Sequence, residues 1–379
     1  MKSAGRYLYV DNLRLFLTAL VLLHHTMIVY AWSGGFTYKE GNPDLLTSAI
    51  GSWFCAVNQA FFMGLFFLIS AYFVVGAYDR KGAGRFWKDR LVRLGIPLVL
   101  YTWLVNPIFI YQYSRVHDGL SQSFWSYYSA HFLRFFGVFA SGPLWFVEAL
   151  LIFTAGYALV RLLTRSHSAT PVVDRPLPGN WMIALFALLL GLAGFLVRVK
   201  FPIDYNFEPL NLQFPFFAQY IALFIVGLVA YRRHWLNNLS ETQGRTWLRI
   251  GILMSLLFVP LALLGGATED ISLFKGGWHW QSAAYALWES FTCAGLSIGL
   301  IYAFRRYFNG QGKLASGLAR SAYGAYIIQA PVITFVALAI REVAVYPLIK
   351  FGLAALLILP ASFLLSNLLR KLPYAGRVL

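Results

Sequence analysis

The sequence predicts an all-α, polytopic membrane helix bundle of about ten transmembrane helices, with both termini cytoplasmic. Three observations carry this. First, the 379 residues are 59% hydrophobic and only 12% charged, where soluble domains carry about 25% charged residues. Second, apolar runs long enough to cross a bilayer as helices recur along the chain, and barrel strands are far shorter. Third, with the N-terminus placed in the cytoplasm, about three quarters of the 31 lysines and arginines fall in inner segments. The net charge of +16 is therefore read as topology and not as a nucleic-acid footprint. Little chain is left for a soluble domain, so residues 1–379 are expected to form one integral-membrane domain.

The first run, 12–31, contains LRLFLTALVLLHHTMIVY and follows the basic residues Lys2 and Arg6. It loosely resembles a signal peptide, but its length of about 20 residues and its internal Arg14, His24 and His25 point to a retained span. Arg14 and His25 are eleven residues apart. At 100° per residue that is three turns plus about 20°, so they share a helix face, with a rise of about 16 Å between them. An arginine and a deeper histidine on one face are costly if both meet lipid. The plainer alternative is a snorkelling Arg14 and a His25 bonded to a neighbouring helix. His25 is the natural acid/base candidate, because imidazole titrates near neutrality. His24 is rotated off the Arg14 face and ranks second.

The second run, 52–77, leads into YDRKGAGRFWKDRLVRLGIP, with six basic residues. Arg90 and Arg93 are three apart, hence on one side of a helix, and a pair of planar guanidiniums suits phosphate. Contact with anionic lipid heads is the alternative. After the third run, 94–113, the stretch 120–140 is dense in aromatics (Phe124, Trp125, Tyr127, Tyr128, Phe132, Phe135, Phe136). It reads as an interfacial helix or a lid over an outward cavity. The fourth run, 144–162, carries Trp145 and Glu148, and a carboxylate within a span marks function more often than not.

A proline-rich connector, 165–180, precedes the fifth run, 181–198; the sixth and seventh follow at 215–231 and 247–265. The eighth, 280–304, carries Glu289, which could serve as a base, as a proton carrier or as a partner for His25 or Arg14. In the ninth, 319–340, Tyr323, Tyr326 and Gln329 form one stripe whose polar tips need partners or a cavity. The tenth is 346–369. Cys55 and Cys293 sit in apolar runs and support neither a disulfide framework nor a zinc site. No ligand spacing joins His24, His25, His131 and His279, so no metal is expected. No nucleophile elbow, Walker A loop or dinucleotide fingerprint occurs.

Taken together these segments resemble the membrane acyltransferase-3 family, which includes bacterial sugar O-acetyltransferases and a periplasmic-glucan succinyltransferase. VDNLRLFLTALVLLHH matches its Asp-x-x-Arg and following histidine at Asp11, Arg14 and His25. DRLVRLGIP matches its Arg-x-x-Arg at Arg90 and Arg93. LWFVEALLIF resembles its Leu-Trp-Phe motif, and SAYGAYIIQAPVI its Tyr-x-x-Tyr-x-x-His segment, with Gln329 standing in place of histidine. Glutamine exchanges no protons near neutrality, which leaves the acid/base role to His25.

The resemblance implies a bacterial inner-membrane enzyme. It would move an acyl group from cytoplasmic acyl-CoA, expected to be acetyl-CoA, to a hydroxyl of an extracytoplasmic carbohydrate or glycan, with no permanently bound cofactor. Arg14, Arg90 and Arg93 would hold the donor. His25 would act as base with help from Glu148 or its neighbour His24. Trp145, Tyr323, Tyr326 and Gln329 would bind the acceptor. The rival class is a proton-coupled transporter carrying protons on His25, Glu148 and Glu289.

Overall fold

Sparse charge and long apolar runs leave helices as the way to satisfy the backbone, and a computed structural model shows them. It describes residues 7–131, 141–164, 173–207 and 210–378. The long helices are α1 (Leu8–Ala31), α2 (Leu45–Arg90), α3 (Asn106–His117), α4 (Phe124–His131), α5 (Trp145–Leu163), α6 (Asn180–Lys200), α7 (Phe217–Arg232), α8 (Glu241–Leu264), α9 (Trp280–Tyr307), α10 (Lys313–Ala339) and α11 (Pro347–Leu369). Among the described residues, nine helical runs are long and apolar enough to cross a membrane.

The expected second and third spans are not separated by a loop. They belong to one helical run, Leu45–His117, of 73 residues. Unbroken, it would reach about 110 Å, more than three bilayer cores. It reverses instead at Gly82, whose φ of 69° and ψ of 168° are non-helical and open chiefly to glycine. Across this hinge Tyr78 meets Phe86 at 5.3 Å between ring centroids, and Lys81 pairs with Asp89. Both ends of the run lie at the same end of the bundle. Asp44, the N-cap of α2, accepts a bond from Tyr346, while Tyr113 and His117 of α3 pack on Tyr38. One run thus makes two passages.

Between Arg90 and Asn106 the run carries two π-helical turns, Leu91–Gly95 and Tyr101–Val105. Pro97 and Pro107 explain them, because proline lacks the N–H that would bond the carbonyl four residues earlier. The two freed carbonyls are taken by tyrosines: Tyr323 donates to Arg93 O at 2.9 Å, and Tyr128 to Trp103 O at 3.1 Å.

Helices α1, α2, α9 and α10 form the buried centre, against which α5 and α7 pack. Leucine-rich faces of α6, α8 and α11 remain exposed, including Leu188, Leu256 and Leu356, as lipid-facing surfaces require. Helices α8 and α9 pack backbone to backbone. A Cβ at Gly295 would lie 2.5 Å from Gly251 Cα, so these glycines set the approach of the two backbones. Outside the spans, Asp44 accepts from Leu46 N and Thr47 N. The Thr47 bonds hold its carboxyl down at about 2, so α2 starts on an ionised cap. Cys55 and Cys293 are free and buried.

Candidate active site

The sequence puts His25 on the face of α1 that turns toward α10. There its Nδ1 lies 2.9 Å from Gln329 Oε1. An amide oxygen only accepts, so the imidazole donates. With Nδ1–H committed to Gln329, Nε2 is left as the acceptor. The ring stacks on Phe36, with centroids 5.4 Å apart and planes at 28°. Phe36 belongs to the loop after α1, which is anchored where Glu40 bonds Lys350 of α11 and accepts from Tyr38. His24 stands edge-on to His25 at 5.4 Å and packs on Phe62 of α2 at 5.1 Å. It is buried, and its Nδ1 has no hydrogen-bond partner.

Both histidines line a cavity of about 1260 Å³. Its deep wall includes Cys55, Met63, Trp145 and Tyr326, and its mouth is built from the loops after α1, α6 and α8. Asn42, Asn206, Asn211 and Gln213 supply amides there, and Ser33, Ser48 and Ser52 hydroxyls. Trp145 is held flat against Tyr220 at 5.5 Å and 28°, and Asn211 Nδ2 donates to Gly142 O at 3.0 Å.

At the other end of the bundle, which we term the basic end, three arginines converge. Arg14 lies over the Phe73 ring at 4.7 Å and Arg90 over Phe86 at 5.2 Å. Arg14, Arg90 and Arg93 are close enough for their charges to interact. The stripe on α10 connects the two regions. Tyr323 bonds the carbonyl of Arg93, Tyr326 the carbonyl of Pro143, and Gln329 the ring of His25. Six residues of helix rise about 9 Å, so the stripe runs along α10 from the Arg93 backbone to the His25 ring.

A family model described as an acyltransferase domain matches residues 7–367. The chain belongs to the membrane acyltransferase-3 family. Among curated relatives, glucans biosynthesis protein C of Salmonella schwarzengrund (strain CVM19633) is 26% identical over 257 residues, 64% of this chain and 62% of that one. The protein of the same name from Escherichia coli O17:K52:H18 (strain UMN026 / ExPEC) is 25% identical over 255 residues, with the same coverage. The aligned part is thus under two thirds of these relatives' length. No solved structure matches the chain.

Several residues of this family member sit differently from expectation. Gln329 does not line the cavity; it stands behind His25 as its hydrogen-bond partner. Tyr323 is bonded at the basic end beside Arg93 and is not a cavity residue, whereas Tyr326 and Trp145 are. Glu148 is buried one turn beyond Trp145 but neither lines the cavity nor bonds to either histidine. Its Oε2 has no hydrogen-bond partner. Glu289 is not a partner of His25 or Arg14. It forms a buried ion pair with Arg198 of α6 at 2.6 Å, and that guanidinium lies 5.1 Å from the Phe216 ring and 5.5 Å from the Tyr285 ring. Of the expected lid over 120–140, α4 is described, and Tyr127 packs on Tyr111 of α3; residues 132–140 lie outside the described residues, as do 165–172 of the connector. Phe36 is not legible in the sequence, because a lone aromatic in a loop carries no signal of the ring it will meet. Among the described residues no group of His, Cys, Asp and Glu is placed to hold a metal.

Proposed function

We propose that this membrane protein is an O-acyltransferase. It moves an acyl group from acyl-CoA, bound at the basic, cytoplasmic end, to a hydroxyl of a carbohydrate or glycan that enters the cavity from the opposite side. The observation that carries the reading is the placement of His25. It is fixed by Gln329 at the deep wall of a cavity that opens away from the Arg14, Arg90 and Arg93 cluster.

The chemistry follows from the residues. Guanidiniums at the basic end bind the phosphates of CoA through charge-assisted bonds, and the acyl-pantetheine arm extends toward His25. The acceptor hydroxyl oxygen attacks the thioester carbonyl while His25 Nε2 takes its proton. The carbon–sulfur bond then breaks, and the imidazolium returns the proton to the departing CoA sulfur. Gln329 holds the tautomer in which Nε2 is basic, the orienting job that a carboxylate performs in hydrolase triads. Being neutral, it does so without paying out charge to the imidazolium. His24, against His25 in the cavity lining, is the secondary group there, while Glu148 lies one turn beyond Trp145 and outside that lining. The amide, hydroxyl and aromatic lining of the cavity suits a polyhydroxylated acceptor, since these groups bond hydroxyls and pack on sugar rings. The name of the relatives, glucans biosynthesis protein C, supports a glucan-like acceptor, and the inner membrane of a bacterium is the matching location.

A proton-coupled transporter would use His25, Glu148 and Glu289 as carriers. With Glu289 paired to Arg198, that reading loses one of its three. To test the enzyme, purified protein is incubated with radiolabelled acetyl-CoA and bacterial glucans. Label on the glucan that disappears with His25→Ala is expected; no label on any glycan, with wild-type protein folded and binding CoA, would contradict acyl transfer to sugars.

A further inference from the structure

A second cavity, of about 430 Å³, lies at the basic end between α2, α5 and α7. Its four charged lining residues are Arg161, Arg175, Arg232 and Arg233, and its floor is apolar, with Val75 and Leu228. The positive-inside rule accounts for arginines in such loops, but not for their organisation here. Asp79 of α2 grips two of them: Arg161 Nη1 donates to Oδ1 at 2.9 Å, Arg232 Nη1 to Oδ2 at 2.6 Å and Arg232 Nη2 to Oδ1 at 3.1 Å. Arg161 also donates to Tyr157 at 2.8 Å. The other two are brought together by backbone. Val173 N–H bonds Arg232 O at 3.0 Å and Arg175 N–H bonds Arg233 O at 3.2 Å, so the chain around 173–175 lies along the end of α7. A further carboxylate nearby, Asp174, is turned to His234 at 2.6 Å. Neither aspartate lines the cavity.

The cavity stands apart from the Arg14, Arg90 and Arg93 cluster. Arg161 lies over Tyr78 at 5.1 Å, Tyr78 meets Phe86, and Arg90 lies on Phe86; two aromatic rings separate the cations. Four guanidiniums over an apolar floor, in a volume within the usual range for small-ligand sites, make a receptor for an oxyanion carried on an apolar group. The geometry points to a second phosphate-ester site here, distinct from the arginines assigned to the donor and independent of the acyl-transfer reading. Guanidinium forks match phosphate oxygens, and the floor takes the apolar remainder. A membrane phospholipid headgroup and a soluble nucleotide phosphate offer that same chemistry.

Direct binding to the full-length protein in detergent micelles tests the site and separates the two sources. The probes are dioctanoyl-phosphatidylglycerol, with dioctanoylglycerol as the phosphate-free control, and guanosine 5′-monophosphate, which is no fragment of the CoA donor, with guanosine as control. Arg175→Gln/Arg233→Gln is the test variant, because neither side chain is tied to Asp79. Arg175→Lys/Arg233→Lys keeps the charge, and Arg93→Gln samples the other cluster. At least one phosphate probe is expected to bind above its control and to bind about tenfold or more weakly to the glutamine double variant. The lysine double variant should retain most of that binding, and Arg93→Gln should not reproduce the loss. Lipid binding alone identifies a headgroup site; nucleotide binding alone identifies a soluble phosphate site. If neither probe exceeds its control, or if the glutamine double variant binds both as wild type does, the cavity is not a phosphate site. Loss confined to Arg93→Gln would also overturn it.

Discussion

His25 on the first helix and Gln329 on the tenth are joined by a 2.9 Å hydrogen bond across 304 residues of sequence. The position at which the family pattern carries histidine is thus the partner of the proposed base. A glutamine there exchanges no proton, but it fixes which nitrogen of His25 carries one.

Removing that orienting bond should slow the reaction without abolishing it. Gln329→Ala is expected to lower kcat by about 10- to 100-fold, the usual cost of losing a partner that orients a working side chain. Gln329→His, which can still bond His25, should recover part of the loss. Steady-state kinetics check this, and an unchanged kcat in Gln329→Ala would remove glutamine from the mechanism.

His25→Ala should cost about 10²- to 10⁴-fold in kcat, the range for a positioned general base. His24→Ala should cost less, since His24 lacks the Gln329 bond. Melting temperatures of both variants should stay near wild type. Equal losses for the two substitutions would mean that the bond to Gln329 does not select the base.

The arginines are expected to act on donor affinity. Arg90→Ala and Arg93→Ala each remove charge-assisted bonds worth about 1.5–3 kcal/mol, so CoA binding should weaken about tenfold or more while kcat at saturating donor holds. Equilibrium binding of CoA to each variant decides the matter: unchanged affinity would leave the pair with a topological role only.

Glu289→Ala should act on stability. It strands the Arg198 guanidinium, whose side chain is 1% exposed, and breaking a buried pair from one side costs about 3–5 kcal/mol. A lowered melting temperature with residual acyl transfer is expected. Wild-type stability together with lost proton-coupled uptake of a solute would favour a carrier role instead.

The bundle was largely legible because lipid imposes long apolar runs on the sequence whatever the tertiary packing. The reversal at Gly82 was not. One glycine with positive φ suffices to turn the chain, and helix continues on both sides, so a loop was expected where there is a hinge. The stripe Tyr323, Tyr326, Gln329 was readable from helical spacing, but its partners were not. They come from three distant elements, and Arg93 offers a backbone carbonyl freed by Pro97. That Glu289 needed a partner followed from its depth. That the partner is Arg198, on another apolar helix, no local pattern encodes.

Transfer through the membrane between two separated sites makes the reaction depend on which side each substrate occupies. The protein is reconstituted in one orientation in liposomes, with labelled acyl-CoA supplied only on the Arg90 and Arg93 side and glucan only on the cavity side. Acylated glucan on the cavity side and free CoA retained on the donor side are expected. Transfer only when both substrates share one compartment, or solute accumulation without acylation, would contradict it.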